Sequence, residues 1–164
     1  MMSRTMQCLA VLLALSIFAP RAMAASCSLN TATPVAFGTY DPGSATPLDG
    51  QGAVVVECNG NGNNAWIAIS LNAGLWGTFT DRRMANGADR LSYNLYTDVN
   101  RTILFNNGTT VSCRAGDTSN PPCIGEDPQG GRLRATRPIF GRIPPGQNVG
   151  AGTYNDTVTI TITF

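Results

Sequence analysis

Five cysteines, ten carboxylates and eleven arginines supply most of the reactive side chains in this chain of 164 residues, which contains neither histidine nor lysine. Without histidine, nucleophile–histidine triads and histidine-bearing metal sites are excluded. Without lysine, so are Schiff-base and phosphate-cradling lysines. Paired carboxylates remain available for acid–base work. Yet Asp41, Asp49, Asp81, Asp89, Asp98, Asp117, Glu126, Asp127 and Asp156 mostly stand in turn-like sequence, where such a side chain caps its own backbone. No catalytic residue, metal ligand or cofactor site is therefore expected, and the function is expected to lie in binding or assembly.

The cysteines carry the strongest chemical signal. Cys8 falls in an apolar leader, which leaves Cys27, Cys58, Cys113 and Cys123. Four cysteines in an exported domain of this size predict two disulfides formed in an oxidising compartment. The spacings lack any C-x-x-C pair, which argues against zinc. Three pairings are possible. Cys27–Cys58 with Cys113–Cys123 is favoured, because the second pair brackets a polar loop, CRAGDTSNPPC, that can close locally.

Other candidate binding features have plainer readings. Arg132, Arg134 and Arg137 could form a polyanion-binding stripe, but a solvated strand face is expected. Trp66, Trp76 and Phe79 could form an exposed sugar platform, but core packing is expected. Asn107-Gly108-Thr109 and Asn155-Asp156-Thr157 match the glycan acceptor pattern and are read as coincidence in a chain rich in Thr and Asn.

Residues 1–24 have the form of a secretory signal peptide. Arg4 supplies a positive start, Leu9 to Ala19 form an apolar run, and Ala22-Met23-Ala24 supplies a small-x-small cleavage pattern. The run is too short to span a bilayer, which needs about 20 residues, so the mature chain, 25–164, is expected to have no membrane span. Cys27 lacks the large aliphatic residue that precedes a lipidated cysteine. Removing the leader takes away Arg4 and Arg21, so the mature charge is 9 − 10 = −1. That balance gives no electrostatic footprint for nucleic acid or anionic lipid.

The elements that must position these residues are strands. The chain has two Glu, 18 Thr and 18 Gly, and no long 3.6-residue apolar period. Short candidate strands alternate with turn-rich sequence: 33–40, 52–58, 65–72, 91–98, 101–105, 131–143 with a kink near Pro138, and 152–164. In 65–72, Ile67, Ile69 and Leu71 share one face; in 91–98, Leu91, Tyr93 and Leu95 do. About seven such strands predict one all-β domain, an antiparallel β-sandwich. The last of them alternates most cleanly, with Val158, Ile160, Ile162 and Phe164 separated by threonines.

Four ordered segments, SCSLNTATPVAFGTYDP, VVVECNGN, LSYNLYTDVNRTILF and IFGRIPPGQNVGAGTYNDTVTITITF, together resemble the spore coat protein U domain family, which includes pilin subunits of the archaic chaperone–usher pathway. The resemblance covers most of residues 26–164. It implies an immunoglobulin-like sandwich lacking its final strand, completed first by a periplasmic chaperone and then, at an outer-membrane usher, by a neighbouring pilin subunit. It places Val158, Ile160, Ile162 and Phe164 along the groove that receives this strand, with the terminal carboxylate as an anchor for a basic chaperone residue. The competing reading has the four facing an ordinary closed core. Only Ala25 and Ser26 separate the predicted cleavage site from Cys27, so the chain is expected to accept a strand without donating one. Three explanations are open: a terminal or tip position, a domain that is not polymerised, or a start or cleavage site other than the one read here; two-domain tip adhesins are the family pattern, and this chain reads as one domain. The implied location is the cell surface, as part of a fimbrium, or the secreted fraction. The alternative is a self-contained secreted coat or matrix protein that binds polysaccharide or protein.

Overall fold

Alternating apolar residues give the longer strands one buried and one wet face. In the computed structural model, which describes residues 26–59, 66–106, 111–114, 124–126 and 132–164, nine strands are found among the described residues. They are β1 (Ser26–Ala36), β2 (Leu48–Asn59), β3 (Trp66–Leu71), β4 (Arg82–Asn86), β5 (Asp89–Tyr96), β6 (Val111–Arg114), β7 (Ile124–Glu126), β8 (Arg132–Ile143) and β9 (Ile160–Thr163). β2 buries Val54, Val56 and Cys58, β5 buries Leu91, Tyr93 and Leu95, and β8 buries Ala135, Ile139 and Ile143. These residues share one core with Ile67, Ile69 and Leu71 of β3 and with Phe105.

All pairings are antiparallel. One sheet runs β1-β2-β8-β5-β4, with β7 beside β8; a smaller sheet runs β6-β3-β9. The two form an immunoglobulin-like sandwich with no helix among the described residues. The terminal segment joins them. Asn155 exchanges backbone hydrogen bonds with Ala85 of β4, and a few residues later β9 pairs with β3.

Pro138 does not break β8. Beyond β2, β8 is joined by β7 at 134–136 and by β5 at 140–142. Pro138 falls between these contacts, at a local edge where a missing N–H is tolerated.

Among the described residues β1 has a strand partner on one side only. It pairs with β2 along its length, and the disulfide Cys27–Cys58 joins residues directly opposite each other. Its ladder carries one extra residue between Leu29 and Thr31 and another between Thr33 and Ala36. The second bulge presses on Gly52, where an added Cβ would overlap the Thr33 carbonyl oxygen and lie 2.9 Å from the Pro34 carbonyl carbon. Both obstacles are backbone. Gly52→Ala is therefore expected to cost about 1–3 kcal/mol through overpacking, seen as a lower denaturation midpoint with an unchanged slope.

Several expectations require correction. The first strand begins at Ser26, not at residue 33, because the Cys27–Cys58 pairing extends the ladder through polar SCSLN. The RTILF segment, 101–105, is a loop touching β5 through the Tyr96–Leu104 bridge. β4 was not expected; it forms a hairpin with β5, turning at Gly87, whose φ of 57° suits the first position of a two-residue loop. The last strand is shorter than 152–164, because only 160–163 find a partner in β3. The signal peptide, Asn107 to Thr109, Cys123 and the side chains of Trp66, Cys113 and Arg132 lie outside what is described.

Candidate functional site

Because the small sheet stops at β9, it leaves part of the large sheet's inner face uncovered. A cavity of about 390 Å³ opens there. Its floor is Val54 of β2, Ile139 of β8, Tyr93 and Leu95 of β5 and Met84 of β4. One lip is formed by Ala32 to Val35 of β1 and by Phe37; the other by Tyr154 to Val158 and Ile160, with Leu71 behind. Phe37 meets Tyr93 edge-on at 5.9 Å between ring centres. A second hollow continues from Val35, Phe37 and Tyr154 toward residues 38–42 and 149–153. The result is a seam with an apolar floor bordered by two strands.

Both bordering strands have a free edge. β9 pairs with β3 on one side, β1 pairs with β2 on one side, and neither has another strand partner among the described residues. Free backbone donors and acceptors beside an apolar trough form a template for another extended chain.

Of the four terminal residues singled out in the sequence, Val158 and Ile160 line the cavity and are half-buried. Ile162 packs against the core where β9 pairs with Ile69. Phe164 is 53% exposed and is not among the lining residues. The sequence reading missed the floor as a set, because its members come from four strands distant in the chain. It also missed Asp156, read as a turn cap. Asp41 and Asp98 do cap their own loops, accepting from Gly43 N and from the amides of Thr102 and Ile103. Asp156 additionally accepts the Tyr93 hydroxyl at 2.7 Å. Burial and this bond push the Tyr93 phenol well above its ordinary range, so it remains a donor. Asp49, within β2 and not in a turn, pairs across strands with Arg142 at 2.7 Å, and that bond holds its carboxyl below the usual carboxylate range.

Two arginines are buried, one of them against expectation. Arg137 was read on a solvated face, but it alternates with Ala135 and Ile139 and so points inward, 1% exposed. It donates to the Thr97 carbonyl at 2.9 Å and lies 5.5 Å from the Phe105 ring centre. Desolvation lowers its pKa to about 10, with the Asp98 charge opposing. Arg134, on the other face, is exposed beside Glu57. Arg82 is also buried and donates from Nη2 to the carbonyls of Asn72 (2.8 Å) and Phe105 (2.6 Å). These cations satisfy loop carbonyls at the core's margin.

Trp76 also departs from expectation. It is 47% exposed, in the loop after β3, with the Arg90 guanidinium 4.4 Å above its ring. Among the described residues that loop has no strand partner to draw the ring inward. No cluster of three or more metal-ligating side chains occurs among the described residues. The arrangement as a whole is an apolar seam bordered by two strand edges that have no further strand partner among the described residues.

The class this defines is an open-seamed, immunoglobulin-like sandwich, and the comparisons agree with it. A chain in the crystal structure of the CsuC–CsuE chaperone–tip adhesion subunit pre-assembly complex, from the archaic chaperone–usher Csu pili of Acinetobacter baumannii, shares the fold. The TM-score is 0.50 and the identity 21%, over 86% of this chain and 40% of that one. The present chain thus spans well under half of that neighbour's length. The model of the Spore Coat Protein U domain matches residues 13–161. Protein U of Myxococcus xanthus is 38% identical over 141 residues, which is 78% of this chain and 70% of the relative. The chain belongs to the spore coat protein U domain family.

Proposed function

We propose that this chain is an exported structural subunit of a chaperone–usher type surface fibre, and that its open seam accepts a strand from another protein. The observation that carries this reading is the free edge of β9 standing over an uncovered apolar floor. A strand added to β9 would satisfy its backbone groups while alternate side chains filled the trough over Val54, Leu95 and Ile139. The partners that fit are a periplasmic chaperone during export, an outer-membrane usher and neighbouring pilin subunits. Residues 1–24 would direct export. Nothing in this role requires catalysis.

Co-purification from periplasm tests it. The protein is expected to emerge bound to a chaperone strand. Once freed, it should melt several degrees higher with an alternating apolar peptide, since ligand at 100 times its Kd contributes about 2.7 kcal/mol. A stable free monomer whose melting temperature does not respond to such peptides would overturn the reading. The alternative, a self-contained coat or matrix protein that binds polysaccharide or protein, is favoured by one observation: Trp76 and Leu75 stand exposed together in the loop after β3. It predicts polysaccharide binding that is lost in Trp76→Ala and indifferent to added peptide.

A further inference from the structure

One carboxylate borders the apolar groove, and it joins three segments. Asp156 Oδ2 accepts the Tyr93 hydroxyl at 2.7 Å, from the groove floor. Asp156 Oδ1 accepts the Leu75 amide at 2.9 Å, from the loop after β3, and the Thr157 amide at 2.8 Å. A turn cap would need only the last of these. Gly74 packs directly on the carboxylate and leaves no room for a Cβ there. Its φ of +82° is a second reason for glycine. Burial lowers the pKa of Arg82, and the charge of Asp156 is among those that oppose the shift.

The position in the chain gives this cluster its meaning. Asn155 is bonded to Ala85 in the large sheet, and Thr159 is bonded to Asn72 beside the small one. Residues 156–158 cross between the sheets and have no ladder partner among the described residues. That crossing carries Val158, a groove-lining residue, and leads directly into Ile160. An unpaired crossing of this kind frays unless something else holds it.

We infer that Asp156 is the positioning residue of the groove: its carboxylate clamps the crossing segment to the floor and to the loop after β3, so that the lip is already formed when a strand arrives. A preformed lip lowers the ordering cost of binding. The binding half of this inference rests on the strand-accepting reading given above; the clamp itself does not.

Hydrogen exchange and peptide titration on the exported protein separate the two. In Asp156→Ala, which removes both acceptor oxygens, the amides of Leu75 and Thr159 are expected to exchange about tenfold faster or more. Amides in β2 and β8 should be unchanged. Tyr93→Phe, which keeps the floor and removes only the hydroxyl, should act in the same direction. Both variants should bind an alternating apolar peptide about tenfold more weakly. Unchanged exchange at Leu75 and Thr159, or acceleration spread evenly over every strand, would overturn the clamp even if the wild-type protein binds peptide. Wild-type protein that binds no peptide, with the local exchange effect intact, would instead sink the strand-accepting reading and the positioning role built on it.

Discussion

Ile160→Asp is expected to abolish capture of a complementing strand while leaving the domain folded. Ile160 sits in β9 opposite Leu71, is half-buried, and lines the cavity. In the free protein the open side of the groove lets water reach a carboxylate there. The loss should then be that of a partly buried aliphatic side chain, about 1–2 kcal/mol, which a domain of ordinary stability survives. Once a strand lies over the groove, the same carboxylate is sealed in with no cation among the lining residues. An uncompensated buried charge costs about 3–5 kcal/mol, a hundredfold or more in affinity. Thr161→Asp is the control, since Thr161 is exposed on the opposite face of the same strand. Recovery of chaperone complex from periplasm, read beside a melting curve of the free protein, checks both halves. Equal recovery from Ile160→Asp and wild type would refute the assignment of this face.

How much of this was legible depended on whether a residue's surroundings were local. The period of two in VVVEC, WIAISL and LSYNLY names the floor and core residues Val54, Ile69 and Leu95 directly, because alternate residues of a strand share a face. β4 was opaque because RRMAN has neither β-branched nor aromatic residues, and it becomes a strand only through its hairpin with β5. RTILF misled in the opposite direction: its apolar residues are drawn in singly, with Phe105 buried and Ile103 53% exposed, so they make no face. Arg137 shows how charge can mask a periodicity. Its alternation with Ala135 and Ile139 was available, but cations are rarely fully buried. The groove itself could not be read as a surface, since its lips are separated by more than a hundred residues. What the sequence did hold was the strand beside it, because Val158 and Ile160 keep the alternation of an apolar face.

Removal of the Cys27–Cys58 bridge should unmake the opposite lip. With its cysteines 31 positions apart in the chain, this disulfide contributes roughly 3–4 kcal/mol in the chain-entropy model. That is a large share of the 5–15 kcal/mol typical of a whole domain. The location adds a local effect to the global one. Among the described residues β1 has β2 as its one strand partner, and of its residues only Cys27 and Val35 are even half-buried. The strand therefore owes little to packing and much to its ladder and this one covalent tie. Cys58 lies in the core, 1% exposed, while Cys27 is half-buried, so the bridge fastens an otherwise peripheral strand to the interior. Ala32 to Val35, at the other end of β1, form the groove's second lip. The double variant Cys27→Ser, Cys58→Ala is expected to lower the free energy of unfolding by about 3 kcal/mol. It should also expose β1 amides to exchange before those of β8, and lose chaperone capture more completely than the stability change alone accounts for. An addition of Gly52→Ala, which presses on the same strand at its other end, should then cost less than it does in the bridged protein, since a loosened β1 can yield to the new methyl group. Fully additive losses would mean that β1 stays in place without its disulfide, and that the lip is built by the β1–β2 ladder alone.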